Sequence, residues 1–179
     1  MVCRMTTQDV LTKLNLLLNT SHVCAKTQNK GGAGIFLEKL LGIPQTSKCL
    51  DMIDGELKVF PLKPNGKAKE SCAITMVDKT MRTTVFEESR VFKKLENTLF
   101  VAYERKNDTI CFKHIIHFTK DSKYFEQIKK DYLEIQEKSF SSRAGKYLQT
   151  RTKGKGHGTT SRAFYLRATF MNELIPHLS

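Results

Sequence analysis

The sequence predicts an α/β or α+β fold, a mixed β-sheet flanked by helices, and three observations predict it. Apolar residues recur at helical spacing over 7–18 and again over 122–137. Two apolar runs, Thr98 to Arg105 and Thr109 to Phe118, stand on either side of Lys106-Asn107-Asp108, as two strands of a hairpin would. Helical and strand-like segments also interleave along the chain, with no internal repeat and no low-complexity tract. At 179 residues and 40% hydrophobic, the chain fits a single domain with a substantial core.

In chain order, Thr7 to Leu18 reads as an amphipathic helix. Val10, Leu11, Leu14, Leu17 and Leu18 form its stripe, and Thr6 with Asp9 forms a capping box. Ser21 to Asn29 is polar and reads as a loop. Lys30-Gly31-Gly32-Ala33-Gly34 opens a second helix that stops at Gly42, before Pro44. A glycine-rich helix start beside a lysine suits an anion, but the Walker spacing and its trailing Lys-Ser/Thr are missing, which excludes a P-loop. Glu38 shares a face with Gly34, Ile35, Leu41 and Gly42, so its carboxylate leans toward the apolar side. It needs a partner, which either a cation or a structural salt bridge supplies.

Gln45 to Lys63 reads as a hairpin turned at Asp54-Gly55 and closed by Pro61 and Pro64. Cys72 to Val77 is a short strand, and Phe86 to Leu95 a helix bearing Lys93 and Lys94. His114 and His117 lie one to a face without a third ligand and read as structural. In the helix from Ser122 to Glu137, Phe125, Ile128, Tyr132 and Ile135 share one side. A basic strand from Tyr147 to Lys153, a loop over Gly154–Thr160, a strand from Arg162 to Leu166 and a helix from Thr169 to Leu174 complete the chain.

The stretch Asp51-Met52-Ile53-Asp54-Gly55-Glu56-Leu57-Lys58 organises the rest. Read as a strand after a turn, it sends Glu56 and Lys58 to one face, and Leu57 and Val59 into a core. A carboxylate and an ammonium side by side on a half-buried strand cost desolvation energy that a core does not require. A divalent cation on Glu56, with Asp51 as second ligand and Lys58 facing a phosphate or a water, explains the pairing. An edge strand with a solvated polar face explains it equally simply.

Composition narrows the partners. Thirty basic and eighteen acidic residues leave a formal charge of +12, with a pI near 9.6, so a polyanion is the expected partner and nucleic acid the commonest one. The seven basic residues between Arg143 and Arg167 (Arg143, Lys146, Arg151, Lys153, Lys155, Arg162, Arg167) have no acidic residue among them. They interleave with Tyr147, Leu148, Phe164, Tyr165 and Leu166, unlike a solubility tail. Five scattered cysteines, odd in number and without a CxxC pair, suit free thiols in a reducing, cytoplasmic compartment. No apolar run has the length of a membrane span, and the first residues do not resemble a secretory signal.

Together these motifs resemble the MutH family of the PD-(D/E)XK nuclease superfamily, a mismatch-repair endonuclease together with GATC-cutting type II restriction enzymes. The resemblance rests on Lys30-Gly31 with Glu38, on Asp51…Glu56-Leu57-Lys58, and on Lys93-Lys94-Leu95 before Leu99-Phe100-Val101. It continues through Gly145-Lys146-Tyr147-Leu148-Gln149-Thr150-Arg151 and Arg162-Ala163-Phe164-Tyr165-Leu166-Arg167 with Phe170. It runs from about Asn29 to Ile175. It implies one MutH-like domain over 1–179, with a catalytic core at about 29–118 and a DNA-recognition part at about 143–175. The spacing from first acid to Glu56 is shorter than the family's, and Asp54 rivals Asp51 as that acid; Asp51 is favoured because it precedes the turn.

The resemblance further implies a Mg²⁺-dependent endonuclease, with Mn²⁺ able to substitute. Asp51, Glu56 and the Leu57 carbonyl would hold the ion, and Glu38 a second ion or its waters. Lys58 would orient or deprotonate the attacking water, its pKa lowered by burial and raised by the carboxylates. Lys30 and Lys94 match positions that approach the phosphate. Cleavage would leave 5′-phosphate and 3′-hydroxyl ends. Arg151 would read a guanine edge, and Tyr165 would lie near the adenine of GATC. Lys146, Lys153 and Lys155 would contact phosphates, Arg162 and Arg167 would add DNA-binding charge, and the Gly154–Thr160 loop would wrap the duplex.

Three activities compete. The first is a type II restriction enzyme that cuts double-stranded DNA as a possible homodimer on a palindrome, a reading favoured by the short segment after Phe170. The second is a mismatch-repair nickase activated by a MutL-like partner, and the third a non-catalytic nucleic-acid-binding module.

Overall fold

The computed structural model describes residues 4–25, 31–45, 48–141, 144–153 and 161–176. Helix α1 (Thr7–Leu17) starts at the expected capping box, in which the Thr6 side chain accepts from Asp9 N–H and the Asp9 carboxylate accepts from Thr6 N–H. Strand β1 (Ser21–Val23) follows, then helix α2 (Gly32–Leu41), which Gly42 ends in the left-handed conformation at φ +75°. Next come β2 (Glu56–Pro61), β3 (Cys72–Met76), α3 (Arg90–Leu95), β4 (Asn97–Lys106) and β5 (Thr109–Thr119). Helix α4 (Phe125–Glu137), β6 (Leu148–Thr152), β7 (Arg162–Leu166) and α5 (Ala168–Leu174) complete the described chain.

The strands form two sheets. One is mixed and four-stranded in the order β1-β5-β4-β2, with β4 antiparallel to β5 and parallel to β2. The other is antiparallel, in the order β3-β7-β6. The parallel pairing of β2 with β4 requires a crossover, which residues 62–96 supply, with β3 and α3 inside it. The mixed sheet has a core on each face. Leu57, Leu99, Val101 and Phe112 meet Val10 and Leu14 of α1 and Leu37 and Leu41 of α2 on one side. Phe60, Phe100 and Phe118 meet Phe125, Ile128 and Tyr132 of α4, Phe164 of β7 and Phe170 of α5 on the other. A sheet covered on both faces reads as continuous apolar runs, as 99–102 does. Among the described residues, no helix is long and apolar enough to cross a membrane.

The α/β fold with a mixed sheet is as expected, and three local readings need correction. Ser21–Val23 is a strand rather than a loop. It is an edge, fixed by backbone pairing to β5 with Val23 exposed, so its side chains carry no apolar period. The stretch before Glu56 is not the first strand of a hairpin. A turn closes with Met52 N–H donating to Gly55 O at 3.0 Å, but β2 pairs with β4 instead. The expected helix from Phe86 to Leu95 is split. Buried Ser89 donates its hydroxyl to Phe86 O, accepts from Phe92 N–H, and caps α3 while ending a short 3₁₀ turn at Phe86–Glu88.

The glycine of the Asp54-Gly55 pair serves close approach. A Cβ on Gly55 would lie 2.5 Å from Thr7 Oγ1 and 2.8 Å from the Asn97 carbonyl oxygen. Gly55→Ala is therefore expected to force α1 and β4 apart and to lower stability by about 2 kcal/mol or more. The shift in the urea midpoint checks this; an unshifted midpoint would show that the contact relaxes without cost.

Candidate active site

The site starts from β2. Its first residue, Glu56, points toward the Phe60 side of the sheet with its side chain 1% exposed. Such a carboxylate needs compensation, and two lysines supply it through a single oxygen. Lys58 Nζ lies 2.6 Å from Glu56 Oε1, two residues along the same strand face. Lys94 Nζ, from the last turn of α3, lies 2.5 Å from the same atom. The pairing of β2 with β4 places α3, the element just before β4, beside Glu56, and a Thr98 hydroxyl bond to Lys94 O fixes that turn. The second oxygen, Oε2, is buried and accepts no hydrogen bond among the described residues.

Asp51 lies in the turn before β2, and its Oδ2 accepts from Leu57 N–H at 3.1 Å. Arg4 fixes this turn by donating to the carbonyls of Leu50 and Met52, on either side of Asp51. Burial first, then the neighbouring Glu56 carboxylate, raise the Asp51 pKa against the pull of Leu57 N–H, Lys58 and Lys94. Glu38 on α2 feels the same cluster. Burial and then Asp51 raise its pKa, while Lys58 and a Gln45 hydrogen bond oppose the rise. For Lys58, burial pulls the pKa down, but Glu56 and Asp51 outweigh it, and the balance lies above the ordinary lysine range. The amine is a charged donor here. Asp54, the rival acid, points elsewhere: its Oδ1 accepts from Thr7 N–H and the Thr7 hydroxyl at the start of α1.

Asp51, Glu56 and Glu38 thus share one electrostatic environment. Among the described residues, however, no three acidic, histidine or cysteine side chains stand close enough to enclose a metal. The donors still suit a hard divalent cation. Asp51 and Glu38 hold raised pKa values partly because neighbouring carboxylates repel them, and Glu56 keeps an unpartnered buried oxygen.

The basic C-terminal region forms the β6–β7 hairpin. Its register puts Gln149 opposite Tyr165 and Arg151 opposite Ala163, so Arg151 and Tyr165 share one face. The Arg151 guanidinium lies 5.9 Å from the Tyr165 ring centroid. Arg162 belongs to the opposite face, with Thr152, and donates to the Thr150 carbonyl and hydroxyl at 3.1 and 3.2 Å. Arg167 Nε donates to Gly145 O at 3.0 Å. These two guanidiniums thus direct donors into their own hairpin. Lys146, Arg151 and Lys153 are exposed. Lys30, Lys155 and the Gly154–Thr160 loop lie outside the described residues.

Asp131 went unread in the sequence. It is 1% exposed on α4, and its carboxylate accepts from Gln127 Nε2 and from three successive backbone N–H groups, of Lys146, Tyr147 and Leu148, at 2.6–2.9 Å. The only available signal was an acid on the apolar stripe of an otherwise regular amphipathic helix. Arg4 offered no signal at all, since one arginine ahead of a helix has no pattern.

A family model described as "MutH: DNA mismatch repair enzyme MutH" matches residues 44–137, just over half of the 179-residue chain. That segment holds Asp51, Glu56, Leu57, Lys58 and Lys94, and leaves out Glu38 and the β6–β7 hairpin. Among curated proteins none matches the chain.

Proposed function

The chain belongs to the MutH family, a family of DNA endonucleases, and from that premise we propose that it is a Mg²⁺-dependent endonuclease cutting double-stranded DNA at or near GATC. The observation that carries this reading is the buried Glu56 carboxylate, which meets two lysines on one oxygen and leaves the other, near Asp51, without a partner among the described residues. Asp51, Glu56 and the Leu57 carbonyl would hold the ion, with Glu38 bordering them. When bound, Mg²⁺ supplies Lewis-acid polarisation of the phosphate and its water.

The remaining work falls to the chain's own side chains. Lys58, charged because Glu56 and Asp51 hold its proton, donates to the attacking water or to a phosphate oxygen and so orients the approach. Lys94 sits across Glu56 from Lys58 and places a second positive charge where the phosphate gains negative charge. Lys30 would add a third. In-line attack breaks the P–O3′ bond and leaves 5′-phosphate and 3′-hydroxyl ends. Arg151 and Tyr165, on one face of the hairpin, would read base edges, while Lys146, Lys153 and Lys155 contact phosphates.

The family description names a mismatch-repair enzyme, which supports a second reading: a nickase activated by a MutL-like partner. Supercoiled plasmid incubated with the purified protein and Mg²⁺ separates the two. Restriction by a homodimer gives linear molecules with ends inside GATC, and adenine methylation changes the rate. Nicked circles whose yield rises with a MutL-like protein support the second reading. Intact plasmid under both conditions would leave only a non-catalytic DNA-binding module.

A further inference from the structure

A cavity of about 260 Å³ opens beside the candidate site, lined by Lys48, Cys49, Thr75, Arg90 and Lys94. Among the described residues its lining contains three cations, one hydroxyl and one thiol, and no carboxylate. Two of these cations have an acid within ion-pair distance. Glu56 takes Lys94, and Asp78 meets Arg90 only at 3.9 Å across a partly exposed pair, too long for a hydrogen bond and worth little beside water. The cavity is therefore cationic. It is below the roughly 300–1,000 Å³ typical of sites for drug-sized ligands, so it suits a small anionic group better than a whole cofactor. Arg90 brings a planar fork suited to two oxygens of a phosphate, and the Thr75 hydroxyl brings a neutral donor. Lys94 belongs both to this cavity and to the Glu56 cluster, so an anion here lies immediately beside the proposed point of hydrolysis.

We propose that this cavity seats a backbone phosphate of the bound strand adjacent to the one that is cut, with Arg90, Lys48 and Thr75 as its donors. The proposal rests on the endonuclease reading above and extends it: these residues hold the strand in register so that the next phosphate meets Lys58 and Lys94. Arg90, Lys48 and Thr75 lie on three segments, which only the crossover between β2 and β4 brings together. Sequence pattern does not reveal this grouping.

The cavity carries its own reporter, because Cys49 is exposed on its lining while Cys24 and Cys72 are buried. Burial pushes the Cys72 thiol up to about 12, so it stays protonated and serves as an unreactive internal control. The experiment is iodoacetamide alkylation followed by peptide mass mapping, in Ca²⁺ to prevent cutting, with inorganic phosphate or a GATC duplex as probe and a gel-shift assay run alongside. The duplex is expected to slow Cys49 alkylation by about tenfold or more at low salt. Arg90→Ala is expected to abolish that protection and to reduce the slope of log affinity against log salt by about 0.9, one phosphate contact. Duplex that shifts the protein while Cys49 alkylates at its free rate overturns the proposal and leaves the endonuclease reading standing. Protection by inorganic phosphate but not by duplex also overturns it and marks a free-anion site. A duplex that neither shifts the protein nor is cut in Mg²⁺ removes both readings.

Discussion

Replacing Glu56 by Gln is expected to reduce DNA cleavage by at least about 10³-fold while leaving duplex binding in Ca²⁺ intact. The change is isosteric. It removes the charge that Lys58 and Lys94 both meet at 2.6 and 2.5 Å, and it converts the proposed metal donor into a weak one. Loss of a preorganised charged group at a reacting centre costs about 10²–10³ in rate, and loss of the metal with it costs more. The two lysines keep 23% and 17% of their side-chain surface, so they can turn outward and the fold should survive. Single-turnover cleavage beside a gel-shift titration gives both numbers. A variant that cuts at more than a tenth of the wild-type rate would remove Glu56 from the centre of the site.

The second large effect is expected at Asp131, which has no part in the proposed hydrolysis. Alanine there leaves the N–H groups of Lys146, Tyr147 and Leu148 without their shared acceptor, and those of Tyr147 and Leu148 are buried. Each unsatisfied buried donor costs about 1–3 kcal/mol, so the two buried ones predict a loss of at least about 2 kcal/mol. The neighbouring corner has no room to rearrange. Gly145 holds φ at +99°, and a Cβ on it would stand 2.1 Å from the Leu148 carbonyl oxygen. Asp131→Asn keeps one carbonyl acceptor but presents an amide N–H₂ toward other donors, and it should fall between alanine and the native acid. Urea unfolding supplies the stability. Discrimination between a GATC duplex and one altered at a single base supplies the functional readout, because loosening the base of the β6–β7 hairpin should blur that ratio. An alanine variant with unchanged midpoint and unchanged discrimination would show that water replaces the carboxylate.

The contrast between these residues explains what was legible in the sequence. Glu56 and Lys58 could be read because a strand's period of two puts a charged pair on one face of an apolar run, a local conflict visible without coordinates. α1, α4 and the β4–β5 hairpin could be read because their burial repeats along the chain, and because α1 carries its own capping box and the hairpin its own turn. Lys94 was identified only through resemblance, since nothing local distinguishes it from Lys93. Its role depends on an ion pair with a residue 38 positions away. The misreadings had the same physical origin. β1 gains its place by backbone bonds to β5 and shows no side-chain pattern, and Gly55 looked like a hairpin turn because a tight turn and a close approach both demand a missing Cβ. Asp131 binds three amides that lie 15 to 17 positions on, and no window of sequence displays that.

The crossover between β2 and β4 has a kinetic implication. Parallel pairing cannot begin until the whole intervening segment has looped back, a slower event than closing a local hairpin. Glu56 waits at one end of that loop and Lys94 at the other. A nascent or partly folded chain therefore holds the acid and the amine apart, and hydrolytic competence should emerge only once β2 has docked on β4. For a protein that cuts DNA, an immature form that is inert protects the genome of the cell that makes it.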